Sequence, residues 1–341
     1  MYMKSRKRLW AVLLAACLLL SGCGAETKTV SLSGPEEENR LTVYVSHKRS
    51  VYLPIVREFE DRTGIWVQVV SGGTNELLER IRSEQEAPCA DVMFGGGVES
   101  LESYEDCFRP YISRESDWIR ESYADPESRW TPFSALPVVL IYNTKLVDRE
   151  KLCAWRDLLK PEFHGKIAFA DPTVSGSSYT ALITALMALK PLEDPVGAFV
   201  RALDGKLLPG SGDVIRAVSE GRALVGITLE ETAAKAIAAG DHIGIVYPEE
   251  GTSCLPDGIA LVAGGPHEEN ARRFLDFAVS RDVQSFLTSR ECRRSVRTDA
   301  SAAPGLPELG EIKVMQYDRD LAILERDRVL KSWQEKLEAA K

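Results

Sequence analysis

The sequence predicts an α/β fold built as two interwoven lobes. Three observations carry this. Short β-branched or aromatic strands alternate with amphipathic helical stretches from Leu41 onward. Several of the strands end on Gly-rich turns that open the next helix, as expected for an open, mostly parallel sheet covered on both faces. No low-complexity linker divides the first set of these units from the second.

In chain order, Leu41 to Ser46 (LTVYVS) reads as a strand and Pro54 to Thr63 as a helix, with Ile55, Val56 and Phe59 at helical spacing and Gly64 as its stop. Ile65 to Val70 is the second strand. After Gly72 and Gly73, a helix over Asn75 to Glu84 places Leu77, Leu78 and Ile81 on one face. Ala90 to Phe94 is the third strand, followed by Gly95, Gly96 and Gly97 and a helix carrying Val98 and Leu101. A second set begins near Phe133. Its strands are Val138 to Tyr142, Lys166 to Ala170, Ala223 to Thr228 and Ile243 to Tyr247, and its helices are Tyr179 to Leu189, Val214 to Glu220 and Glu231 to Ala239. Ile259 to Val262 is a further strand, Asn270 to Leu287 one long helix, and the tail from Pro307 finishes with an amphipathic helix.

The N-terminus reads as a processing signal rather than as fold. Lys4, Arg6, Lys7 and Arg8 precede a charge-free run from Leu9 to Leu20, whose 12 residues fall short of the roughly 20 needed to span a bilayer. Leu20-Ser21-Gly22-Cys23 follows and looks like a bacterial lipobox, which makes Cys23 the expected lipidated residue after removal of residues 1–22. Polar residues 24–39 read as a tether holding the folded part off the membrane. The expected location is therefore the extracytoplasmic face of the cell membrane, held by the lipid alone.

Charge narrows the partners. The chain has a formal charge of -9, which becomes -13 once the four basic residues of the signal are removed. An acidic surface works against nucleic acid, whose phosphates need a basic stripe. Five cysteines remain after Cys17 and Cys23: Cys89, Cys107, Cys153, Cys254 and Cys292. Outside the cytosol thiols tend to pair. Connectivity is not fixed by the sequence, and the pairing expected here is Cys89 with Cys107 and Cys254 with Cys292, Cys153 staying free. The spacing does not suggest zinc. No GxSxG, HExxH or Walker sequence is present and the four histidines are dispersed, so an enzyme is not expected.

The strand ends carry the candidate chemistry. Ser46, the Ser71-Gly72-Gly73-Thr74 turn, Gly96 and Gly97, and Ser175-Gly176-Ser177 offer hydroxyls and backbone N–H groups, several of them directly before a helix. Converging helix N-termini and hydroxyls suit an oxyanion such as phosphate or phosphonate. The same residues also have plainer readings as tight turns and helix caps. His47 follows the first strand, where a cleft should lie. Thr228, Glu230 and Glu231 close the strand ALVGIT; one glutamate is expected to be a solvated helix-start charge and the other to accept from a ligand hydroxyl or amine. Asp257 sits before Gly258 and reads as a hinge, turn or contact residue. Arg293, Arg294 and Arg297 read as a basic surface patch.

The order lipobox, tether, LTVYVS, IWVQVV-SGGTNEL, ADVMFGGG, IYNT, FADPTVSGSS, ALVGITLEE, IGIVYPEEGTS, PDGIALV and ENARRFLDFAVSRDVQSFL resembles bacterial extracellular solute-binding proteins of ABC transporters. The likeness is to the branch with ferric-ion-binding and with phosphoglycerate-, hexose-phosphate- and aminoethylphosphonate-binding members, and runs from about Leu41 to Arg297. It implies a type II periplasmic-binding-protein fold. Lobe 1 is expected over 40–130 with 258–306 and lobe 2 over 131–257, with a helical segment at 307–341. The resemblance also implies a small anionic solute captured by lobe closure, an ABC permease and its ATPase as partners, a monomer and no cofactor. Ferric members hold the metal with a Tyr-Tyr pair in the segment that here reads VGITLEETAAK, where no tyrosine stands. A lone His47 is a poor substitute, because Fe(III) wants anionic oxygen. A phosphorylated or phosphonate solute is thus the expected ligand, with a ferric-ion-binding component or a sensory ligand-binding subunit as alternatives.

Overall fold

Val43, Val45 and Phe94 line one side of the first and third strands and Tyr44 and Met93 the other, so both faces of these two strands are buried and must be covered. The structure, a computed structural model, describes residues 36–340; the signal and Cys23 lie outside the described residues. Its strands are β1 (Arg40–Val45), β2 (Trp66–Ser71), β3 (Val92–Gly97), β4 (Phe108–Arg109), β5 (Thr131–Asn143), β6 (Ile167–Ala168), β7 (Val225–Leu229), β8 (Ile243–Val246), β9 (Cys254–Val262) and β10 (Arg294–Ser295). The helices are α1 (Arg49–Thr63), α2 (Thr74–Ser83), α3 (Val98–Glu102), α4 (Gly176–Ala188), α5 (Pro195–Leu203), α6 (Gly212–Ser219), α7 (Glu230–Ala238), α8 (Glu268–Ala278), α9 (Arg281–Glu291), α10 (Arg319–Ile323) and α11 (Arg326–Ala339).

The main path runs β2-β1-β3-β9-β5-β7-β6. The helical crossovers α1 and α2 make β1 parallel to both β2 and β3, and β6 is parallel to β7. The remaining pairings are antiparallel. The expectation of a mostly parallel sheet is corrected to a mixed one, because β9 and the long β5 enter as antiparallel strands from another part of the chain. β5 is also much longer than the segment read from the sequence. Its first half pairs with β9, up to Pro137 opposite Cys254, and its second half pairs with β7 and β8 from Val138 onward. Pro137, which has no N–H to give a ladder, stands where β5 changes partners.

Three further expectations are corrected. The single helix over Asn270 to Leu287 is two helices, because the backbone turns extended at Ser280 and a new helix starts at Arg281 with Asp282 in its first turn. The arginine run is no surface patch: Arg293, Arg294 and Arg297 are 5%, 4% and 2% exposed, and each has a carboxylate partner. Glu37–Asn39, read as tether, form a 3-10 turn held by Asn270 Nδ2, which donates to the Glu38 carbonyl at 2.8 Å.

The tail is part of the core. α11 buries Trp333 completely against Phe169 and Phe199, with ring centroids 5.9 Å from each. The five described cysteines are free thiols, so the two expected disulfides are absent from the structure. Cys254 faces the Tyr123 hydroxyl at 3.4 Å instead, and Cys107 accepts from Gln85 Nε2 at 3.3 Å.

Candidate functional site

The C-terminal ends of β1 and β3 come together because glycine allows it. Gly95 and Gly96 have φ of +111° and +105°, a region that L side chains rarely adopt. A Cβ on Gly95 would stand 2.5 Å from Ser46 Oγ, and one on Gly96 3.0 Å from Thr74 Cγ2. The β3 terminus therefore passes directly beneath the two hydroxyl-bearing residues.

These strand ends wall a cleft of about 420 Å³, closed on its other sides by the start of α4, by β9 and by the tail. Ser46, His47, Gly73, Thr74, Gly96, Gly97, Ser175, Gly176, Ser177 and Asp257, all singled out from the sequence, line it together. Thr228, Glu230 and Glu231 do not, although Leu229 beside them does. Glu230 is 1% exposed and forms a bidentate pair with Arg294, from Nε at 2.7 Å and Nη2 at 2.9 Å, while also accepting from the Tyr247 hydroxyl. Glu231 is ringed by Lys235 at 3.3 Å, Lys48 at 3.6 Å and Arg293 at 4.0 Å. Burial alone would raise the Glu231 carboxyl, but Arg293, Lys48 and Lys235 together bring it below the usual range. It is a buried, fully charged anchor rather than a solvated helix-start charge.

The helix ends differ in what they offer. At α2, Gly73 N–H already donates to Glu76 Oε2 at 3.3 Å. At α4, Ser175 Oγ accepts from Ser178 N–H at 3.3 Å and lies 3.2 Å from Ser177 Oγ. The N–H groups of Gly176 and Ser177 belong to the first turn, which has no intrahelical acceptor. The α4 terminus is thus the stronger seat for an anion. Arg326 lies on the same cleft, its guanidinium carbon 4.0 Å from the centroid of the Tyr179 ring.

His47 forms the floor. It packs edge-on to Phe94 at 4.7 Å and against Phe133 at 5.0 Å. Its Nδ1 is 3.7 Å from Asp257 Oδ2, and its Nε2 is buried without a partner. Burial pushes its pKa down to about 4, against the pull of Asp257 in the opposite direction. Asp257 cannot counter this fully, because Arg293 Nη1 already donates to it at 2.7 Å and Ser134 donates through both N–H and Oγ. His47 is therefore neutral at physiological pH, not the cation that would add charge to an anion site.

Glu99, Thr180, Ser211 and Arg326 also line the cleft and were not singled out from the sequence. Glu99 is 6% exposed, and its Oε1 accepts from Thr180 Oγ1 at 3.0 Å and from the Tyr317 hydroxyl at 2.7 Å. Its position two residues after the Gly95–Gly97 turn was the one legible signal. Arg326 and Tyr317 come from the tail, where periodicity marks a helix and nothing points to a cleft. Among the described residues no group of three or more His, Cys, Asp or Glu side chains is arranged to hold a metal ion.

A chain of this topology, with its cleft at the strand ends, has known counterparts. Residues 91–320 match the family of bacterial extracellular solute-binding proteins. The chain belongs to that family. This solute-binding protein is 27% identical over 315 residues to iron uptake protein A1 of Synechocystis sp., a match covering 86% of each chain. It is 22% identical over 251 residues to a putative 2-aminoethylphosphonate-binding periplasmic protein of Salmonella typhimurium, covering 71% of this chain and 73% of that one. Its fold superposes on the periplasmic binding protein AfuA of Actinobacillus pleuropneumoniae, solved with fructose-6-phosphate, with a TM-score of 0.77 over 88% of this chain and 98% of that one at 24% identity. The fold is that of the type II periplasmic binding proteins, as the sequence resemblance implied.

Proposed function

We propose that this chain is the substrate-binding component of an ABC importer, held to the membrane through a lipidated Cys23, and that its solute is a small organophosphate or organophosphonate. The observation that supports this is the α4 end of the cleft. There the open N–H groups of Gly176 and Ser177 and the hydroxyls of Ser175 and Ser177 share one wall with Arg326. A phosphoryl or phosphonate group seated there has donors for its oxygens and a guanidinium for its charge.

The remaining part of the solute would meet Ser46, Thr74 and Glu99 across the cleft. These come from the segment read as lobe 1, whereas Ser175 to Thr180 come from the segment read as lobe 2. Only a closed form brings both sets onto one molecule, so the ligand's greater affinity for that form drives closure. β5, changing partners at Pro137, and the start of β9 are the natural crossings. The closed form would then engage the permease and its ATPase.

The iron reading draws on the relatives' names, but Fe(III) asks for several anionic oxygens. The Val225 to Lys235 segment has no tyrosine. Tyr179, the tyrosine lining the cleft, already donates its hydroxyl to the Ala322 carbonyl at 2.7 Å.

Thermal unfolding against hexose phosphates, phosphoglycerates, aminoethylphosphonate, inorganic phosphate and ferric citrate tests the reading. An organophosphate or organophosphonate at ~100 times its Kd should add about 2.7 kcal/mol of stability. Stabilisation by ferric citrate alone would overturn the proposal.

A further inference from the structure

A second cavity, of about 740 Å³, lies beside the strand crossing and shares Leu255 and Pro256 of β9 with the solute cleft. Its walls are apolar over much of their area, including Val98, Trp130, Leu309, Val314 and Met315. Two buried donors among its lining residues have no acceptor: Arg120 Nε and Trp130 Nε1. Trp130 is only 4% exposed. Buried N–H groups are almost always paired, so two orphans at one cavity call for an acceptor that enters it.

Arg120 is the stronger of the two signs. The arginines of the neighbouring strand and its continuation, Arg293, Arg294 and Arg297, each pair with a carboxylate. Among the described residues Arg120 has no carboxylate within ion-pair distance, although its charge is felt at Tyr123 and Cys254 on the same wall. Of the other charged groups lining the cavity, Arg319 pairs with Glu102, and Glu308 is exposed and accepts from Ala302 N–H at 3.2 Å. The Cys254 thiol is no nucleophile here, since burial pushes it up to about 11.

We propose that this cavity is a second ligand site, taking a small carboxylate with an aromatic or short hydrocarbon body, its carboxylate accepting from Arg120 and Trp130 Nε1 and its body against the apolar wall. The planar guanidinium fork matches a carboxylate, and the volume lies within the range of small-molecule pockets. Tyr317, which lines this cavity, donates to Glu99, which lines the cleft. The second ligand therefore sits against the same residues that shape the solute site.

Isothermal titration with 3-phenylpropionate and with the uncharged 3-phenylpropan-1-ol tests the site. The carboxylate should bind saturably at one site, and the alcohol about tenfold more weakly. Arg120→Met should weaken the carboxylate by about the same factor while leaving the alcohol unchanged. Leu309→Trp, which fills the cavity from its apolar wall, should abolish both, and thermal unfolding of each variant checks that it folds. Equal binding of the carboxylate to the parent protein and to both variants would overturn the proposal, as would no saturable binding to the parent up to millimolar probe.

Discussion

Arg293 Nη1 donates to Asp257 Oδ2 at 2.7 Å, and the two side chains are 6% and 5% exposed. The pair joins the approach to β10 to the middle of β9, and Ser134 of β5 adds two more donors to the same carboxylate. Removing one member of a buried pair leaves an uncompensated charge and costs about 3–5 kcal/mol. Arg293→Met should therefore lower stability by that amount in urea unfolding. The double variant with Asp257→Asn should recover part of the loss, because no isolated charge is left in the interior. Equal stability of the single and double variants would mean that the pair is not what holds the crossing.

His47 makes stability pH-dependent. Its pKa is about 4 in the fold against 6.5 for an ordinary histidine, because burial disfavours the charged ring. Between these values the unfolded chain binds a proton that the folded chain refuses. The histidine's contribution is thus fully present above pH 6.5, falls as the pH drops from 6.5 to about 4, and levels off below. The shift corresponds to about 3 kcal/mol across that window. His47→Asn should flatten this part of the stability profile measured by urea unfolding at successive pH values. An unchanged slope would assign the acid sensitivity to other groups.

Much of the frame was legible because it depends on local pattern. The βα units from Leu41 to Leu101 are announced by strand-helix alternation, and the glycines of the β3 terminus by their clustering. Long-range pairing is not written that way. Nothing local says that β5 runs through two sets of partners, or that β9 enters antiparallel beside β3. The site divides along the same line. Ser46, Thr74 and Ser175 stand at strand and helix ends and were found, while Arg326 reaches the cleft, and Tyr317 reaches Glu99 on its wall, only because the tail folds back over α4. Charge near a motif misled: Glu230 and Glu231 follow the right strand, but their carboxylates are taken by Arg294 and by Arg293 with two lysines. The arginine run looked like surface because its carboxylate partners are far away in the chain.

The α4 terminus should dominate affinity for the phosphoryl group. Ser175 caps the helix through Ser178 N–H and faces the cleft, so Ser175→Ala should cost about 1 kcal/mol of stability as a lost cap. Its affinity for the solute should fall further, by about tenfold or more, as a lost hydrogen bond to a charged group. Arg326→Met should weaken binding with little change in stability, since Arg326 touches an aromatic face but no carboxylate in the cleft. Titration calorimetry with the ligand identified by thermal shift separates the two effects. An Arg326 variant that binds as tightly as the parent would remove the tail from the site.

Glu99 places a carboxylate beside the α4 terminus, since the Thr180 hydroxyl that meets it at 3.0 Å also lies 3.3 Å from the Gly176 carbonyl. Both of its described donors, Thr180 Oγ1 and the Tyr317 hydroxyl, fall on Oε1. The Tyr317 phenol is held protonated, raised by its burial and then by Glu99 itself. In Glu99→Gln the amide oxygen can keep both hydrogen bonds, each weakened by about 1 kcal/mol on losing the charge, while the amide nitrogen takes the place of Oε2. The cleft then loses a negative charge and gains a donor. Inorganic phosphate should bind this variant more tightly than it binds the parent. A phosphate ester or phosphonate carrying an amine or hydroxyl should lose its advantage over inorganic phosphate, because the acceptor for that group is gone. The ratio of the two affinities is the quantity to measure, since a general loss of stability would lower both together. An unchanged ratio would make Glu99 a structural acceptor for Tyr317 and Thr180 and nothing more.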